Sequence, residues 1–236
     1  MIRYQRSSLI KHTTSYLNPT PSIFVASNPT IFGKIQTFGK MAASSNANNT
    51  QMLQIDTDNG IYFWKPEQRF GYLGQWFASP FTVISEDGTR IDYENCEQYM
   101  MHQKGVLFAP DSDTTRDILA KGLHPGEIKA LGRAIPNFDE ETWENNRYKI
   151  VVQGNYYKFT QNEELKAMLL ETGNKELVEA SPRDRIWGVG YGAVNAPKNR
   201  QKWGLNLLGK ALMDVREKIR VEEKEEEEEK KAEESH

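Results

Sequence analysis

Hydrophobic positions are spread unevenly along the chain. Before about residue 60 they follow neither a helical nor a strand period, and Ser, Thr and Asn predominate. The first β-prone run is Ile61-Tyr-Phe-Trp64. A second, Phe81-Thr-Val-Ile84, closes on the turn Glu86-Asp87-Gly88. From 92 to 108 the composition becomes helix-compatible, with Asn95 placed to cap and Gln98 at the third position, as in a capping box. Asp113 to Lys121 and Pro125 to Arg133 predict two short helices, the first stopped by Gly122 and the second opened by Pro125. Glu140 to Asn155 carries Trp143, Arg147 and Ile150/Val151 on one helical face. Asn162 to Thr172 repeats the pattern with Leu165, Met168 and Leu169, and stops at Gly173. Leu177 to Ala180 reads as a strand and Gly188 to Pro197 as loop. Trp203 to Val221 predicts a last helix with Leu207/Leu208, Ala211/Leu212 and Val215 as its buried stripe. The expected fold class is α+β: a mostly helical single domain over 60–216 with a small antiparallel sheet.

Charge divides the 236 residues further. Residues 1–50 hold five bases and no acid, whereas 217–236 hold ten Glu against five Lys and Arg. The leader, 1–59, fits two readings: an organellar presequence, or an upstream extension with synthesis starting at Met41. The first implies a mitochondrial address, the second a cytoplasmic one. Within the acidic tail, residues 222–234 lack an apolar stripe and read as solvated helix or disorder. The stretch between is nearly balanced, which argues against bulk nucleic-acid binding. No apolar run approaches the ~20 residues of a membrane helix. Cys96 is the only cysteine and the four histidines are scattered, so neither a disulfide framework nor a metal site is expected. Chemistry should come from carboxylates, lysine and arginine.

Two segments could carry it. On a helix, Glu97 and Lys104 share a face, two turns or ~10.5 Å apart, where an acid and an amine could close on a small polar ligand. The same spacing equally fits a surface acid and a surface lysine. In Glu179-Ala-Ser-Pro-Arg-Asp184-Arg-Ile-Trp187-Gly-Val-Gly190, an apolar strand end meets a charged turn, a Trp and a Gly-rich loop. Such a turn can set a carboxylate beside an aromatic platform, while Gly188 and Gly190 allow close backbone approach. It also fits a purely structural turn.

Taken together, Phe70-Gly-Tyr-Leu-Gly-Gln-Trp-Phe-Ala-Ser-Pro-Phe81, Glu97 to Lys104, Trp143 with Arg147, Lys158 to Asn162, Leu169 to Gly173, Glu179 to Gly190, and Trp203 to Gly209 with Leu212-Met213 and Arg216 resemble the NADAR, or YbiA-like, domain. The resemblance spans about 155 residues in order. It implies a YbiA-like fold and an N-glycosidase for ribosylated bases, most directly reactive riboflavin-pathway intermediates, the ribosylaminopyrimidine phosphates. Its alternatives are removal of ADP-ribose from guanine bases, or a non-catalytic ADP-ribose binding module. Gly74 stands where the family often has Ser, so one hydroxyl is missing.

Breaking a ribose C1–N bond develops positive charge at C1, which a carboxylate stabilises while activating water. Under the resemblance, Glu97 and Asp184 are the candidate carboxylates, and Lys104 is a candidate amine for attack on the opened sugar. Trp187 could stack on the base, with Trp76 as a further contact. Arg69 and Arg183 could hold phosphate, and Gly188 and Gly190 could line the sugar. The expected partner is a small ribosylated base or nucleotide, and no cofactor is required.

Overall fold

The computed structural model describes residues 56–235, apart from 58 and 86. The expectations for the leader and Met41 therefore lie outside the described residues.

Strand β1 (Gly60–Phe63) is buried throughout, as its aromatic and β-branched composition requires. It pairs in parallel with β4 (Glu176–Glu179), placing Phe63 opposite Glu179. A parallel pair needs a crossover, and here the crossover contains most of the domain. An antiparallel pair, β2 (Phe81–Ile84) and β3 (Arg90–Tyr93), forms the second sheet. Gly88, at φ 83°, turns the chain between them in a conformation that side chains avoid. The small antiparallel sheet is thus present, with a parallel pair beside it. Strand β3 takes residues that composition had placed at a helix start. Its four-residue alternation is too short to register as a period, and pairing with β2 decides the matter.

Helix α1 (Cys96–Phe108) begins where Asn95 accepts a hydrogen bond from the Gln98 amide at 2.9 Å. The box is only half made, because Gln98 Oε1 accepts from the Glu94 N–H at 2.8 Å and not from that of Asn95, while Nε2 donates to the Ile118 and Ala120 carbonyls. Every residue from Cys96 to His102 is buried, so α1 runs through the interior. Short α2 (Asp113–Asp117) leads to α3 (Pro125–Ala134), which starts in a full capping box of His124 and Glu127. Helix α4 (Glu140–Thr160) continues five residues beyond the expected end, burying Lys158 and Phe159. The Lys158 ammonium donates to the carbonyls of Tyr72 (2.6 Å) and Gly74 (3.0 Å), while burial lowers its pKa to about 8. This contact pins the segment that leads into Gln75 and Trp76.

Helix α5 (Glu163–Glu171) precedes β4, and α6 (Leu207–Glu234) ends the fold. Leu208, Ala211, Leu212, Val215 and Ile219 of α6 join the main core. Burying each of the larger ones is worth about 1.5–3 kcal/mol. Beyond this stripe, the Tyr156 hydroxyl donates to Glu222 and Lys166 pairs with Glu223, so the tail docks for one turn before becoming exposed. No helix among the described residues is long and apolar enough to cross a membrane.

Candidate active site

Three carboxyls from three different elements meet. Glu97 stands in the first turn of α1, and its amide donates to the Gln75 carbonyl at 3.1 Å. Its side chain is 3% exposed, and Oε1 has no hydrogen-bond partner. Burial raises its pKa to about 7. Lys129, the Trp76 indole and Arg133 oppose that rise, and Asp184 adds to it.

Glu179 is the last residue of β4. Its Oε2 is also buried and unpartnered. Burial raises its pKa to about 8, with repulsion from Asp184 and Glu97 adding to the rise and Lys129 opposing it. Asp184 is held by its own turn, where Oδ1 accepts from the amides of Ile186 (2.9 Å) and Trp187 (2.8 Å). Among the described residues, Glu97, Glu179 and neighbouring Gln75 are the side chains with buried polar atoms left unpaired. Burying a polar group without a partner costs free energy, and unspent capacity of this kind concentrates where a ligand can use it.

The supports explain why these groups stay in place. Buried Asn206 takes a left-handed conformation (φ 51°), which Asn tolerates better than most residues. Its amide accepts from the Glu179 N–H at 3.0 Å and donates to the Leu177 carbonyl at 2.9 Å, acting as a short substitute strand along β4. A Cβ at Gly188 would stand 2.7 Å from the Glu179 carbonyl oxygen, so only glycine lets the loop lie this close. The carbonyls of Ile186 and Trp187 accept from the amides of Leu207 and Leu208, satisfying the first turn of α6.

The expected residues divide. Glu97, Asp184 and Trp76 come together, with the half-exposed Trp76 ring also meeting His124 edge-on at 5.8 Å. Trp187 is half-buried against the main core, Gly188 packs under the loop, and Gly190 (φ 78°) turns it. Arg183 is exposed one residue before Asp184. Lys104 is directed elsewhere: its ammonium donates to the Gly132 carbonyl at 2.8 Å and lies 4.1 Å from the Phe138 ring centre. Burial lowers its pKa, and the charges acting on it are Glu140 and Arg133. Arg69 pairs with Asp56 at 3.6 Å in a cleft of about 250 Å³ that also includes Tyr72, Thr172 and Lys175. A Cβ at Gly74 would face the Gly71 and Trp64 carbonyl oxygens.

Sequence reasoning missed Glu179, Lys129 and Asn206. An acid closing the apolar run Leu177-Val178 was the available signal for Glu179. Lys129 and Arg133, one turn apart on α3, had none beyond their spacing. No group of three or more His, Cys, Asp or Glu among the described residues is arranged to hold a metal ion.

The profile of the NADAR domain matches residues 62–220. The chain belongs to the NADAR family. N-glycosidase R617 of Acanthamoeba polyphaga mimivirus is 41% identical over 170 residues, covering 69% of this chain and 98% of the viral protein. N-glycosidase Npun_R5314 of Nostoc punctiforme is 32% identical over 161 residues, covering 68% and 92%. The NMR structure of the E. coli protein YbiA superposes with a TM-score of 0.56 at 27% identity, covering 72% of this chain and 89% of YbiA. The chloroplastic riboflavin biosynthesis protein PYRR of Zea mays is 31% identical over 168 residues, only 25% of its own length. With its NADAR relatives, this chain is a hydrolase of N-glycosyl bonds.

Proposed function

We propose that this NADAR protein hydrolyses the ribose C1–N bond of reactive ribosylaminopyrimidine phosphates, intermediates of the riboflavin pathway. The match to PYRR supports the substrate class, and the buried carboxyl pair Glu97–Glu179 beside Asp184 supports the chemistry. Burial disfavours the charged form of both, and Glu97 and Asp184 further repel a charge on Glu179, so near neutrality the pair holds a proton. The protonated member gives its proton to the leaving nitrogen as the C1–N bond breaks. Asp184, fixed by two backbone amides, faces the positive charge at C1. The ionised member then takes a proton from water as the water oxygen bonds to C1. Free base and ribose phosphate leave, and the shared proton is restored. Trp76 supplies an aromatic surface beside Glu97, and the Trp187 backbone N–H donates to Asp184.

The deciding experiment incubates purified protein separately with a ribosylaminopyrimidine phosphate and with ADP-ribosylated guanosine, and follows the released aminopyrimidine or guanosine by chromatography. Release from the first is expected. Release from the second alone makes the protein an ADP-ribosyl-base hydrolase, and binding without release from either makes it a binding module.

A further inference from the structure

Helices α1 and α3 lie side by side and run in the same direction. At one end, Trp76 touches both Glu97 and His124, the cap of α3. One turn along, Gly132 packs directly on Met101, where any Cβ would collide with the Met101 sulfur. Further along, Lys104 reaches the Gly132 carbonyl. Lys129 lies between His124 and Gly132, three residues before the glycine and so on the side of α3 turned to α1. Half-buried there, it stands level with the Glu97 end of α1. The chain thus places two lysines along this seam: Lys104 is spent on the α3 terminus, whereas Lys129 makes no direct ion pair among the described residues and acts on the carboxyls through space.

We propose that Lys129 is a positioning residue whose ammonium, on the α3 face turned to Glu97 and Glu179, sets the pH range in which one of the two is ionised while the other is protonated. This rests on the glycosidase reading above. Its positive charge acts on both carboxyls and is the main opposition to burial at Glu97. The other charged groups facing the pair are Asp184 from the turn and Arg133 from α3. Asp184 pushes both carboxyls up; Arg133, exposed, lowers Glu97 alone. Without Lys129, the pair would hold its protons to higher pH, and the base would be occupied when the substrate arrives.

The test compares wild type with Lys129→Met, Lys129→Gln and Lys129→Arg. Two readouts are taken: the pH profile of kcat/KM on the ribosylaminopyrimidine phosphate, and the titration of 13C-labelled glutamate carboxyls without substrate. In the Met and Gln variants both limbs of the profile should move to higher pH by about one unit, the lower end for an opposite charge nearby. Activity then falls about tenfold at pH 6 but not at pH 9. The carboxyl titrations should move the same way, and Arg should restore both. Unmoved titrations in the neutral variants overturn the proposal. So does a rise in KM with the limbs in place, which would make Lys129 a phosphate ligand. Should wild type release no base from any ribosylated substrate, the glycosidase reading fails, while the NMR titration still decides whether Lys129 governs the pair.

Discussion

Replacing Glu97 by Gln should stabilise the fold at high pH while removing activity. An isolated Glu titrates near 4.5, whereas buried Glu97 titrates at about 7. Its folded pKa is raised, so the native state holds a proton that the unfolded chain has already lost. Stability therefore declines as pH rises from 4.5 through 7, and the full penalty is present above that window. At 1.36 kcal/mol per pH unit the displacement corresponds to roughly 3 kcal/mol. Some of this is already lost by pH 5, leaving about 2–3 kcal/mol between pH 5 and pH 9. Gln keeps the shape, cannot ionise, and relieves the repulsion on Glu179. Urea denaturation of both proteins at pH 5, 7 and 9 should show the variant's advantage growing by that amount, about 1 M in midpoint for ordinary urea slopes. Turnover should fall about a hundredfold or more. A stability difference that does not change with pH would refute the reasoning, because it would mean that Glu97 is not held protonated in the folded protein.

Asn206→Gly keeps the left-handed backbone available but deletes two buried hydrogen bonds to β4. It should cost about 1–3 kcal/mol by denaturant titration and lower kcat by loosening Glu179. Lys104→Met should lose about 1–2 kcal/mol from the missing Gly132 and Phe138 contacts, with turnover within threefold of wild type. Borohydride trapping of a substrate adduct on Lys104 would contradict this. Truncation after Lys224 should leave the melting temperature unchanged, whereas truncation after Val221 should lower stability by about 1 kcal/mol through loss of the Glu222 and Glu223 contacts.

Local chemistry made much of the scaffold legible. The aromatic run at Ile61, the Asn95 cap, the Gly88 turn and the apolar stripe of α6 each follow from a conformational preference within a few residues, so the chain alone determines them. The motif around Glu97 and Asp184 was also readable, because the resemblance rests on the order of residue types. Other features depend on neighbours distant in sequence. Strand β3 exists through its pairing with β2, and the last turn of α4 through the burial of Lys158 under Tyr72 and Gly74. Helix α1 is the clearest case. The spacing of Glu97 and Lys104 describes a shared face, but a helix buried nearly all round meets a different neighbour at each end. Glu97 meets β4 and the Asp184 turn, whereas Lys104 meets the end of α3. Only the parallel pairing of β1 with β4 brings Glu179 to that position, and only the α1–α3 packing brings Lys129. Periodicity reports direction around one helix axis; the ionisation of a buried carboxyl depends on which charges other elements place beside it.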